Sequence, residues 1–370
     1  MTKITPENKQ RFAQCLQQIH AISRKPLTIM EVCGTHTMNI ARYGIRGLLP
    51  QHIRLLSGPG CPVCVTDEGL IQQAMQIAKQ PDVILTTFGD LMRVPAGQGS
   101  LQSCREAGCD IRIVLSPLDA LQLAKESPKK EVVFFAVGFE TTAPLTAVAV
   151  SLAAEQNISN FFVLCGHKTM PQAICALLRE NTHINGLLAP GHVAAITGSE
   201  MFTFLSTTLD IPVAISGFAP WEILTAILAI VQMWERNQAE LINCYPSVVT
   251  ATGNPTAKAY QDRVFTTTDV CWRGLGILPN SGLVLRPEYG RFSAENRFTQ
   301  VFREITPTTP NGCCCGTILQ GKLQPKQCPL FSATCRPDSP VGPCMVSGEG
   351  ACAAAYRYER KIEREEAYAR

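Results

Sequence analysis

Seventeen cysteines stand in a chain of 370 residues, and seven of them crowd into residues 313–352: Cys313, Cys314, Cys315, Cys328, Cys335, Cys344 and Cys352. Thiolates are soft ligands that select iron–sulfur clusters, zinc or copper(I). Seven thiols exceed the four that one such centre takes. The spacing Cys313-x14-Cys328-x6-Cys335-x16-Cys352 is not the compact run of a ferredoxin. It also lacks the paired CxxC knuckles of a zinc ribbon. Soft-ligand chemistry favours a cluster over zinc here, with zinc left open.

Two further constellations lie far upstream. Cys61-Pro62-Val63-Cys64 places two thiols two residues apart, a spacing that closes a disulfide or makes half a metal site. The preceding Gly58-Pro59-Gly60 turn is expected to leave these thiols accessible, although a buried reduced pair is the plainer alternative. Thr66, followed by Asp67 and Glu68, reads as the cap of a helix whose positive end favours the Cys64 thiolate. Cys33 has His36 three residues on. That pair suits a histidine-activated nucleophile or two metal ligands, or merely a small core cysteine beside a hydrogen-bonded histidine. No nucleophile elbow, Walker A loop, complete GxGxxG or HExxH is present, so no motif supports a nucleotide site.

The elements that must position these groups are short apolar runs alternating with amphipathic segments. The runs are 27–32, 53–57, 82–88, 111–116, 131–137, 160–165, 184–189 and 211–216. β-branched runs of this length between helical patterns predict a buried parallel sheet, as two doubly wound sheets or one eight-stranded barrel. Each chemical motif follows a run directly. Cys33 follows the first, Cys61 the second and Gly89-Asp90 the third; Glu140, His167, His192 and Gly217 follow later ones. The carboxyl ends of parallel strands line the functional crevice of such folds, so one shared site is expected. Asp90, Glu140 and His192 could tune that site or move protons there, or simply satisfy backbone donors at a turn.

The rest of the chain sets limits. With 46% hydrophobic and 17% charged residues it can bury a sizeable core as two or three domains. A formal charge of +3 without a basic block argues against nucleic acid as the main partner. The polar start lacks the apolar core of a signal peptide, and Ile223–Trp234 is too short to span a bilayer, which together predict a cytoplasmic protein. Residues 1–24 predict a helix with Phe12, Cys15, Leu16 and Ile19 on its apolar face. Residues 245–300 read as mixed α/β with many turns, 306–312 as a linker and 356–370 as a charged, solvated helix.

The motifs CGTHT (33–37), SGPGCPVC (57–64), TFGDLMRVP (87–95), SPLDAL (116–121), GFETTAP (138–144), PGHV (190–193), WRGLG (272–276) and GPCMVSGEGAC (342–352) stand in this order. Together they resemble the HypD family of [NiFe]-hydrogenase maturation factors over about residues 8–358. The resemblance implies two parallel-sheet α/β domains, 26–130 and 131–300, and a small Cys-rich iron–sulfur domain from 1–25 and 301–370. It implies a scaffold on which an Fe(CN)2CO group is assembled, with a small HypC-type chaperone sharing the iron and a HypE-type partner supplying cyanide. By position, Cys33 with His36 beside it matches the family's iron site. Cys61 and Cys64 match its redox-active pair, and Cys313, Cys328, Cys335 and Cys352 match the ligands of its [4Fe-4S] cluster. Two departures stand out: Cys313-Cys314-Cys315 replaces the family's C-x-C, and Ala219 replaces an acidic residue. Cys344 matches a family position without a cluster role.

The bare chemistry agrees. Iron(II) carrying CO and cyanide prefers thiolate, and its assembly needs electrons that a cluster beside a dithiol can relay. Two other classes remain at this point: a cluster-dependent thiol–disulfide reductase, and a zinc-stapled binding module.

Overall fold

All eight apolar runs form strands in the structure, a computed structural model that describes residues 5–180, 183–304 and 312–359. They are β1 (Leu27–Glu31), β2 (Ile53–Ser57), β3 (Val83–Thr87), β4 (Ile111–Ile113), β5 (Glu131–Gly138), β6 (Phe161–His167), β7 (Gly186–Pro190) and β8 (Val213–Ser216), and a three-residue strand, β9 (Leu241–Asn243), follows. The barrel alternative is excluded, because the strands build two separate parallel sheets, ordered β2-β1-β7-β8-β9 and β4-β3-β5-β6.

The chain crosses between the sheets after β2 and again after β6. Sheet membership therefore departs from the contiguous division into 26–130 and 131–300. Residues 27–57 and 186–243 share one sheet, and residues 83–167 make the other. The physical reason lies in β1. It pairs with β2 on one side, Leu27 to Ile53, and its other edge is completed only by β7, Ile29 to Gly186. A strand with one unpaired edge is left incomplete until the distant segment returns.

Side-chain alternation divides the core into three. Leu27 and Ile29 face a layer formed with Ile223, Ile227 and Ile230 of the helix Pro220–Glu235. Ile84, Val132 and Phe134 face a layer that includes Ala147 and Val150 of the helix Ala143–Glu155. The opposite faces, with Met30 and Leu187 from one sheet and Leu85, Val133 and Phe135 from the other, share one central core. The period of two along each strand is what sends neighbours to different layers.

The predicted amino-terminal helix forms over Pro6–Ile22 and buries Cys15 and Ile19. It was expected beside the Cys-rich segment. It packs instead in the layer with the helix Pro220–Glu235, with Cys15 Sγ 3.7 Å from Thr225 Oγ1. Residues 245–300 contain the helix Pro255–Val264 and an antiparallel hairpin, β10 (Phe265–Trp272) and β11 (Gly276–Leu285). The Cys-rich segment is a series of short helical turns, among them Cys315–Leu319 and Pro343–Val346, and Ile318, Leu319 and Met345 anchor it in the central core. Except for Gly312, the linker read at 306–312 lies outside the described residues, as does the charged carboxy-terminal segment from 360 on.

Candidate functional site

The order β2-β1-β7-β8-β9 means that the chain winds one way from β1 and the other way from β7. In the second sheet the same reversal falls between β3 and β5. At such a switch point the connections leave in opposite directions and open a crevice beyond the strand ends. Cys33 follows β1, His192 follows β7, Asp90 follows β3 and Glu140 follows β5. Each sheet thus delivers its polar residues to its own switch point.

Cys33 is the N-cap of the helix Gly34–Arg42, and its N–H donates to Glu31 Oε2 at 3.1 Å. Its Sγ lies 3.7 Å from His192 Nδ1. Burial pushes the Cys33 thiol well above its ordinary range and holds His192 down to about 4. At neutral pH the pair is therefore a thiol facing a neutral imidazole, and the imidazole tautomer with its proton on Nε2 leaves Nδ1 to accept the S–H. Glu31, which also accepts from Thr37 Oγ1, is raised by burial to about 7. His36 Nε2 donates to Gly217 O at 2.8 Å, so Nδ1 carries a lone pair; that atom is buried without a partner. Burial lowers His36 to about 4. The Phe218 ring packs against both histidines, at 5.1 Å from His36 and 5.4 Å from His192 between centroids.

The Gly58–Gly60 turn closes over Cys33. Gly34 N–H donates to Gly60 O at 3.1 Å, and a side chain on Gly60 would run into the Cys33 backbone. Only glycine allows that approach. Cys61 then caps the short helix Pro62–Val65, its Sγ accepting from Cys64 N–H at 3.3 Å. Both thiols are buried, contrary to the expected accessibility, because the turn folds inward onto Cys33. Thr66 does not cap the next helix. Asp67 does, and Thr66 Oγ1 donates back to Pro62 O at 2.8 Å. Burial drives the Cys64 thiol upward, so the expected thiolate-favouring helix end is overruled.

The thiol of Cys64 lies next to that of Cys344, Cys344 next to Cys315, and Cys315 next to Cys313. A continuous row of thiols thus runs from the CxxC turn into the Cys-rich segment. There Cys313, Cys315, Cys328, Cys335, Cys344 and Cys352 line a single cavity with Ile318, Leu330, Phe331 and Met345. A side chain on Gly342 would strike Cys313 Sγ, and Val341 N–H donates to Cys335 Sγ at 3.4 Å. Among the described residues no three His, Cys, Asp or Glu side chains close on the position of a single ion. These six thiols surround a space instead, an arrangement suited to a polynuclear centre.

One loop ties this cavity to both crevices. Ser347 Oγ donates to Asp90 Oδ2 at 3.3 Å, and Thr35 Oγ1 donates to Glu349 Oε1 at 2.6 Å. A Cβ on Gly34 would come within 2.5 Å of Glu349 Cβ, so the loop is seated directly on the Cys33 turn. The hairpin end adds a second tie. Arg273 Nε donates to Thr66 O at 2.9 Å, and Gly274 sits against Gly316 without room for a side chain.

The family model described as "HypD: Hydrogenase formation hypA family" matches residues 10–359. The chain belongs to the HypD family. It is 43% identical to hydrogenase maturation factor HypD2 of Bradyrhizobium diazoefficiens, over 91% of this chain and 90% of that protein. It is 42% identical to hydrogenase maturation factor HypD of Escherichia coli, over 92% of this chain and 91% of that protein. A HypD of Azotobacter vinelandii is also 42% identical, over 94% and 93%. No helix among the described residues is long and apolar enough to cross a membrane.

In this HypD-family chain the structure brings Cys33, Cys61 and Cys64 together around the Gly58–Gly60 turn and seats His36 behind Phe218. It gathers Cys313, Cys328, Cys335 and Cys352 around that one cavity. Cys314 is not among the lining residues; its thiol neighbours Cys328, with Sγ 3.8 Å from Gly312 O. His192 is the direct neighbour of Cys33, a role that sequence spacing assigned to His36. Its PGH turn after an apolar run was the available signal, and the pairing itself depends on β1 lying beside β7. Cys344, left without a role from sequence, links the dithiol to the cavity. Glu140 does satisfy a backbone donor, Met170 N–H at 2.7 Å, yet its Oε2 is buried without a partner.

Proposed function

We propose that the chain is a maturation scaffold on which the Fe(CN)2CO group of [NiFe]-hydrogenase is assembled. Cys33 holds the iron together with a HypC-type chaperone, and a HypE-type partner delivers the cyanide. The observation that carries this reading is the Cys33–His192 pair at a switch point, placed beside a row of thiols that leads to a six-cysteine cavity. A disulfide reductase would use the row but has no use for Cys33 and His192.

The chemistry follows from the groups in place. A thiol must lose its proton to bind iron, and His192 Nδ1 is positioned to take it. The neutral imidazole of His36 adds no positive charge to oppose an incoming cationic iron, and His192, which is low in basicity, passes its proton on to solvent. The cluster expected on Cys313, Cys328, Cys335 and Cys352 would supply single electrons. Cys315 and Cys344 lie between that set and Cys64, so a disulfide of Cys61 and Cys64 would be reduced to two thiols by two such electrons with two protons. The SGEG loop, bound to Thr35 and Asp90, holds the cavity and both crevices in one arrangement. Infrared spectroscopy of the chain isolated with its small partner tests the reading. Metal-bound CO and cyanide bands are expected, and their absence from protein that carries iron would reject it.

A further inference from the structure

On the far side of the second sheet, the helix Leu101–Glu106 ends in two paired hydrogen bonds. Gly108 N–H donates to Arg105 O at 3.0 Å and Cys109 N–H to Cys104 O at 3.1 Å, with Gly108 at φ +101°. In this type of helix ending, the third residue from the end and the second beyond the cap bring their side chains into contact. Here both are cysteines. The backbone bond between the two residues holds them adjacent, as a disulfide requires. Cys104 is buried and Cys109 half-buried.

Both thiols line a groove of about 910 Å³ formed at the amino ends of β3, β4 and β5, the edge opposite the switch-point crevice. Its size is that of a site for a small molecule. Lys79, Lys130, Asp82 and Asp110 stand in its wall with the amides of Gln72, Gln76 and Gln80, and Lys130 Nζ lies 3.4 Å from Asp110 Oδ2. Charges of both signs, several amides and a thiol pair match a small zwitterionic peptide that carries sulfur. None of these residues takes part in the site described above.

We propose that this groove is a thiol-modification site that takes a low-molecular-weight peptide disulfide and passes its oxidation to Cys104 and Cys109. Cys109, the more accessible thiol, gives its proton to solvent, and its thiolate attacks one sulfur of the ligand. The ligand S–S bond breaks and one peptide thiol leaves. Cys104 then gives up its proton and attacks Cys109 Sγ, releasing the second peptide thiol. The balance is two protein thiols oxidised and one disulfide reduced to two thiols. Lys79 holds a ligand carboxylate during the first step.

Glutathione disulfide is the probe, applied anaerobically to the full chain and followed by tryptic peptide mapping. Cleavage after Arg105 separates the two cysteines, so the internal disulfide registers as a cross-linked peptide pair. The wild type should give that pair. Cys104→Ala should trap a glutathione adduct on Cys109, and Cys109→Ala should give neither product. Lys79→Gln should slow the reaction severalfold with glutathione disulfide and leave uncharged hydroxyethyl disulfide unaffected. An equal loss with both reagents overturns the recognition. So does an unlinked Cys104–Cys109 pair under conditions that modify Cys314.

Discussion

Cys33 and His192 are 159 residues apart in the chain, and their Sγ and Nδ1 atoms are 3.7 Å apart. The proximity is made by the register of β1 against β7, Glu31 opposite Leu188, which sets the two strand ends side by side. The pair supplies what a thiophilic metal requires: a sulfur and a neutral base beside it.

Cys33→Ser should keep the fold and the visible absorption of the Cys-rich region and lose the CO and cyanide infrared bands. His192→Ala should retain Cys33 but slow iron uptake at neutral pH by about tenfold or more, an effect of the size of a lost proton acceptor. His36→Ala should act more weakly on the same bands, because His36 reaches the site through Phe218. Full-strength bands in Cys33→Ser protein would contradict the assignment.

Cys61 and Cys64 should form a reversible disulfide despite their burial, since Cys64 already contacts Cys61 and Cys344. Thiol counts on denatured samples of oxidised and reduced protein should differ by two at these positions. In native reduced protein they should alkylate far more slowly than Cys314, because access to a buried thiol requires local opening.

Removal of a thiol from the cavity tests the ligand set. Cys328→Ala and Cys335→Ala should bleach the brown colour expected of an iron–sulfur protein and make residues 312–359 protease-sensitive. That segment is short turns with few apolar anchors, too little to offset roughly 1.5 kcal/mol of ordering per residue. Undiminished colour in both variants would point to other ligands, Cys315 and Cys344 first.

Burial raises Glu140 from 4.5 to about 7, so the folded protein holds its proton more tightly than the unfolded chain. The contribution to stability is full below pH 4.5 and is lost as pH rises through about 7. Glu140→Gln, which keeps the shape and cannot ionise, should gain on the wild type by about 3 kcal/mol between pH 4 and pH 8. Urea unfolding at the two pH values measures it; a gap that stays constant with pH would show that the carboxyl is not buried as described.

Much of this protein was legible before folding. The apolar runs between polar turns gave eight of the nine parallel strands by burial alone, and only the three-residue β9, Leu-Ile-Asn, was too short to leave a signal. The position of each Cys, His, Asp and Glu just after a run followed from the same periodicity. The seven crowded cysteines announced a thiol-rich cavity, since so many thiols within forty residues of little apolar periodicity are spaced to converge. What only the tertiary structure decided was which strand ends meet. Strand pairing joins residues through backbone hydrogen bonds that carry no side-chain code, so the alliance of β1 with β7 could not be read from either run. That alliance made His192, rather than the nearby His36, the neighbour of Cys33. Backbone bonds from Gly58 N–H to Glu31 O and from Gly34 N–H to Gly60 O likewise fold the Gly58–Gly60 turn onto the end of β1, where Cys61 and Cys64 are buried. The role of Cys344 arose in the same way: its neighbours Cys64 and Cys315 are distant in sequence or separated by a loop, and they meet because the SGEG turn is clamped between the ends of two sheets.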